Sequence, residues 1–284
     1  MRIIRGIVAI LAAVALAGCS LLHNKDGEKK EQLISELSTI DGVDHVEVTF
    51  HATAGGIATA PYPKVHGRDD LSPEEAEKLA RLALVRVADL GLGAEQFRYV
   101  QRVHSGTFEL RISLNFREPG FSPESFTSLF EELRRGASKA VWFNPGSACE
   151  IVAEGPSEKL NDWFVAPKPE GCQAIQRTWK HEGIEVRNAG GPLSLRELAP
   201  IAQGGKVRAI ENGKRVLSLY PADGVEPEQI AAEAAGVVAD LPSGHVISIG
   251  NGGRVVVADG KVELQPKFEN EKSKKLVEAI SAHL

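Results

Sequence analysis

Gly120-Phe121-Ser122-Pro123-Glu124-Ser125-Phe126 and Gly224-Val225-Glu226-Pro227-Glu228-Gln229-Ile230 repeat one design at an offset of 104 residues. Each follows a pair of alternating apolar runs joined by a tight-turn signal, and each opens an amphipathic helical pattern. Proline suits the first helical position, where no amide hydrogen is needed, and glutamate in that first turn suits the positive helix end. A chain punctuated this way is confined to hairpins with helices laid against them. The spacing also predicts an internal duplication.

The remaining patterns agree. Leu33, Ile34, Leu37 and Ile40 mark a short helix over 29–39, ended by Gly42. Val46, Val48 and Phe50 then alternate with His45, Glu47, Thr49 and His51, the period of a half-buried strand. Residues 53–69, rich in Gly, Ala and Pro, read as a long loop. Ser72-Pro73-Glu74-Glu75 is a capping box that starts a helix with Ala76, Leu79, Ala80, Ala83 and Val87 on one face. Phe97–Val103 and Phe108–Phe116 flank Ser105-Gly106 as a hairpin, with Phe108, Leu110, Ile112, Leu114 and Phe116 facing one way. Phe126, Leu129, Phe130 and Leu133 follow at helical spacing, and a strand is expected near Ala148–Ala153.

Pro156–Pro169, with Trp163-Phe164 and three prolines, reads up to Gly171 as a linker. Beyond it the features return. Gly183 to Gly191 parallels Gly42 to Gly56, a strand ending in Ala-Gly-Gly. Ser194-Leu195-Arg196-Glu197 is a second capping box, and Asn212-Gly213 is a strong hairpin turn. A helix from Pro227, a three-strand meander over 246–264 and a last helix carrying Leu276, Val277, Ile280 and Leu284 complete the chain. The expected fold is α+β, two tandem layered units of antiparallel sheet with amphipathic helices on one face. The first unit is 31–155, the linker 156–171 and the second unit 172–284.

The N-terminus carries a different kind of signal. Arg2 and Arg5 precede ten apolar residues, Ile7 to Leu16, a run too short to span a bilayer but long enough for a signal-peptide core. Small Ala17 and Gly18 then lead to Cys19. Leu16-Ala17-Gly18-Cys19 resembles the lipobox of a bacterial lipoprotein. The resemblance covers the first 19 residues and implies a signal peptide over 1–18, cleavage between Gly18 and Cys19, and acyl chains on Cys19. Each buried methylene contributes about 0.8 kcal/mol, so two or three chains hold far more firmly than one. It implies a chain anchored in the cell membrane on its extracytoplasmic side. Polar residues 20–30 read as a flexible tether. Losing Arg2 and Arg5 takes the formal charge from −5 to −7, which argues against nucleic acid as a partner.

Only Cys149 and Cys172 remain after Cys19. In an exported chain the simplest reading is a disulfide; free thiols and a redox pair are the alternatives, the latter lacking Cys-x-x-Cys spacing. Trp142, Phe143, Trp163, Phe164 and Trp179 cluster around this pair. They are either a binding surface or the core at the junction between halves.

Other candidate sites have plain readings. His45, Glu47 and His51 share a strand face, with His66 in the loop after it; imidazole and carboxylate bind zinc, but no zinc motif is present, and a solvated strand face is expected. Gly250-Asn251-Gly252-Gly253-Arg254 lacks the ending of a phosphate-binding loop and reads as a turn. No catalytic motif is found, and neither cofactor nor metal is expected. The sequence reads as a lipid-anchored, non-enzymatic binding or scaffold protein whose partners are envelope proteins. A carrier of a lipid or other apolar ligand is the alternative, with a cavity lined by Phe108, Leu110, Ile112, Phe126 and Phe130. An envelope hydrolase is less favoured.

Overall fold

In the computed structural model, residues 25–52, 59–114, 120–251 and 253–284 are described. The expected signal peptide, the lipobox-like segment ending at Cys19, Phe116 and the Ala54-Gly55-Gly56 echo lie outside them.

Helix α1 (25–38) opens the described chain. Residues 25–30, expected as tether, are its first turns. Leu33 and Leu37 are fully buried, so packing of this stripe extends the helix through the charged residues before it. Strands β1 (Val43–Ala52) and β2 (Thr59–Gly67) pair antiparallel, and α2 (Pro73–Asp89) follows with the Ser72–Glu75 capping box formed. β2 corrects the expected loop. It pairs with β3 (Gln96–Val103) only over Lys64–His66, which leaves Pro61 and Pro63, unable to donate to a ladder, outside the second pairing. The prolines read as loop because their effect depends on which edge is used.

Next come β4 (Gly106–Ser113), α3 (Pro123–Arg134), β5 (Ala137–Phe143) and β6 (Ala148–Glu154). Helix α4 (Ser157–Phe164) occupies the stretch expected as linker. Leu160, Trp163 and Phe164 are buried, and Pro156 caps its start, so the prolines bracket a packed helix. β7 (Ala174–His181), β8 (Ile184–Ala189), α5 (Leu195–Gln203), β9 (Val207–Gly213) and β10 (Val216–Pro221) follow. The helix expected from Pro227 is divided into a 3-10 turn (Pro227–Ile230), α6 (Ala231–Ala235) and a second 3-10 turn (Val238–Asp240). β11 (Val246–Ile249), β12 (Arg254–Ala258), β13 (Lys261–Glu263) and α7 (Glu271–Ser281) end the chain.

The fold is mixed α/β. Strands joined by tight turns pair antiparallel, as in β7–β8, β9–β10 and β11–β12. Strands joined through a helix pair parallel, as in β2–β3, β6–β7, β8–β9 and β10–β11. The expected antiparallel sheets are corrected on this point, because a helix between adjacent strands returns the chain to its starting end. Among the described residues two strands followed by a helical segment recur five times, the segments opening at Pro73, Pro123, Ser157, Leu195 and Pro227, and a sixth unit puts three strands before the helix that opens at Glu271. The 104-residue echo from Pro123 to Pro227 therefore spans three of these shorter repeats.

The chain forms two compact units. Among the described residues, unit 1 is 25–52, 59–103, 109–114, 120–127 and 143–145; unit 2 is 104–108, 128–142, 146–251 and 253–284. The division is not at 156–171. In unit 1, Val48, Val65, Leu79, Val87, Phe97 and Tyr99 are buried between α2 and the sheet. In unit 2, neighbours α4–α5, α5–α6 and α6–α7 are in contact, forming one helical layer over a core that includes Trp179, Val186, Ile210 and Leu219. Among the described residues no helix is long and apolar enough to cross a membrane.

Candidate functional site

The polar face of β1 gathers two imidazoles and a carboxylate, the one His/Glu group among the described residues whose ligand atoms converge. Alternation sends His45 and Glu47 outward, away from buried Val48. The β1–β2 register then sets His45 opposite His66 and Glu47 opposite Lys64, so four polar side chains share one patch. Glu47 Oε1 lies 3.6 Å from His45 Nε2 and 3.3 Å from His66 Nε2. Lys64 Nζ donates to the other carboxylate oxygen, Oε2, at 3.1 Å. The His45 and His66 rings stack with centroids 3.8 Å apart. Behind them, His45 Nδ1 donates to Asp44 Oδ2 at 2.7 Å.

Electrostatics follow from this arrangement. The Lys64 hydrogen bond holds the Glu47 carboxyl below the usual range. Burial pushes the His66 imidazole down, and the Lys64 and His45 charges push it the same way. His66 Nε2 is buried and makes no hydrogen bond. His51, expected beside His45 and Glu47, is not in the group; its ring meets Tyr62 edge-on at 4.4 Å. His66 was readable only as a loop residue. No local spacing links it to His45, because the strand register brings them together.

The aromatic candidates are corrected. Trp142 and Trp179 are 0% exposed, Trp163 4% and Phe164 0%, so they form core and not a binding surface. Trp179 Nε1 donates to Gly155 O at 2.9 Å, which satisfies its one polar atom. Phe143 alone is half-buried, with the Arg111 guanidinium 5.2 Å from its ring centre. Cys149 and Cys172 form a disulfide with Cα atoms 5.6 Å apart, closing the β6–α4–β7 crossover around this core.

The residues proposed to line an apolar cavity are packed. Phe108, Leu110, Ile112, Phe126 and Phe130 are at most 2% exposed, and Phe108 meets Phe130 edge-on at 5.3 Å. Unit 2 does contain a cavity of about 630 Å3 whose walls include Arg208, Tyr220, Asn251, Lys272 and Lys275, with Glu226, Glu228 and Glu271 supplying opposite charge. Gly250 and Asn251 reach it from the turn between β11 and β12, where Lys272 donates to Asn251 O at 3.1 Å. A strand follows this turn, as a hairpin reading requires.

Charge is also buried in unit 2. Arg177 and Glu132, 3% and 4% exposed, pair at 3.1 Å. Arg177 also donates to Ala166 O and Pro167 O and lies 5.9 Å from the Trp163 ring centre. These contacts pin the end of α4 and the segment after it, which is structural work. No family model matches the chain, and neither a curated protein nor a solved structure does.

Proposed function

We propose that the chain is a lipid-anchored extracytoplasmic protein that binds or scaffolds other components of the cell envelope, and is not an enzyme. The carrying observation is the succession of sequence signals at the N-terminus: Arg2 and Arg5, ten apolar residues, then Leu16-Ala17-Gly18-Cys19. The Cys149–Cys172 disulfide supports it, because such bonds persist in oxidising compartments outside the cytoplasm. Six residue steps take the chain from Cys19 to Lys25 at the start of α1, a reach of at most about 22 Å, so α1 starts close to the anchor. Hairpins and helices recurring along the described chain make a modular body of the kind used for display and contact. Packing of Phe108 against Phe130 weighs against the apolar-carrier alternative.

Replacing Cys19 tests this reading. Cys19→Ala should accumulate as a full-length, unacylated precursor, read by gel mobility and membrane fractionation. Processing of that variant to the mature size would end the proposal.

A further inference from the structure

We infer that His45, Glu47 and His66 form a three-ligand site for a borderline divalent transition-metal ion of the zinc type. Two imidazoles and a carboxylate suit zinc, copper or nickel; calcium and magnesium prefer oxygen alone. The three ligand atoms lie within 4.8 Å of one another. A tetrahedral ion with bonds of about 2.0–2.2 Å needs ligand atoms about 3.3–3.5 Å apart. The Glu47 contacts, at 3.6 and 3.3 Å, already have that spacing.

Three further features point the same way. Asp44 accepts from His45 Nδ1, which fixes Nε2 as the ligating atom and supplies the outer carboxylate that metal-binding histidines commonly have. His66 Nε2 is buried beside Glu47 yet makes no hydrogen bond, so an ion there would satisfy it. Lys64 occupies Glu47 Oε2, so the carboxylate would ligate through Oε1 alone. The rings are nearly parallel, 16° apart, and their lone pairs do not converge. Loading therefore turns the His45 ring out of the stack; its side chain is 52% exposed and has room, while His66, at 17%, stays. A fourth position faces solvent, as in a site that keeps water or a partner's ligand.

The site does not depend on the lipid anchor. The test uses the detergent-solubilised full chain, stripped with chelator and titrated calorimetrically with zinc chloride, with cobalt(II) as an optical probe of tetrahedral geometry. One zinc per chain is expected, and His45→Gln and Glu47→Gln should each weaken binding by about tenfold or more. Asp44→Asn should weaken it by about 10–100-fold, as loss of an outer partner does. His45 and Glu47 are half-exposed, so these variants keep the fold even if His66→Gln does not. No stoichiometric zinc uptake, or unchanged affinity in His45→Gln and Glu47→Gln, would overturn the inference.

Discussion

Two of the charged clusters among the described residues are built in opposite ways. In unit 2, Glu132 and Arg177 are closed off from water, and the guanidinium spends its remaining contacts on backbone carbonyls that hold the segment after α4. In unit 1, His45 and Glu47 stand on an open strand face, each about half-exposed, with their ligand atoms turned toward one another. Removing one member of a buried pair strands the other, whereas an exposed pair dissolves into water with little loss. The first arrangement serves the fold. The second leaves its chemistry available, and a solvated face with that donor set is where a ligand can arrive.

The contrast is broken most easily from the buried side. Arg177→Met removes the buried cation of Glu132, leaving it only the exposed Arg135 at 4.0 Å, and should cost about 3 kcal/mol or more, while Glu47→Gln in the hairpin should cost under about 1 kcal/mol. Urea denaturation of both variants checks this; equal losses would mean that the open cluster is structural too. Next in size is the disulfide, which should contribute about 3 kcal/mol by closing the crossover around α4. A Cys149→Ala, Cys172→Ala double variant, compared with reduced wild type, should show the same drop in midpoint.

The smallest effect concerns pH. Burial lowers the pKa of His245 below the ordinary 6.5, working against the Gly213 backbone, and its Nε2 is buried without a partner. The unfolded chain binds that proton more readily, so stability is present above about pH 6.5 and is lost as pH falls toward the folded value. His66 titrates in the same sense. His245→Gln should therefore flatten, without abolishing, the fall in melting temperature between pH 7 and pH 5. A steeper fall in the variant would reverse the assignment.

Local signals were legible and tertiary ones were not. The alternation of β1 and the Ser72 and Ser194 capping boxes depend on neighbouring residues, and all three appear as read; the β9–β10 hairpin also forms, but it turns at Lys214-Arg215, with Asn212 paired to Leu217 and Gly213 ending β9. β2 was hidden because Pro61 and Pro63 are tolerated only through its particular pairings. β7 was hidden because Arg177 and Thr178 are buried polar residues inside a strand, which breaks the apolar pattern. Proline density at Pro156, Pro167 and Pro169 imitated a linker, although these residues bracket α4; of the two readings of the tryptophans around it, surface or core, burial selects core. At the candidate site, His45 and Glu47 were readable as one face. His66 was not, because its place opposite His45 comes from the register between two strands.

Intact mass spectrometry of the protein extracted from membranes tests the account most directly. A chain beginning at Cys19 and carrying the added mass of two or three acyl groups is the predicted result. An unacylated chain, beginning at Met1 or at any residue after Cys19, would contradict it.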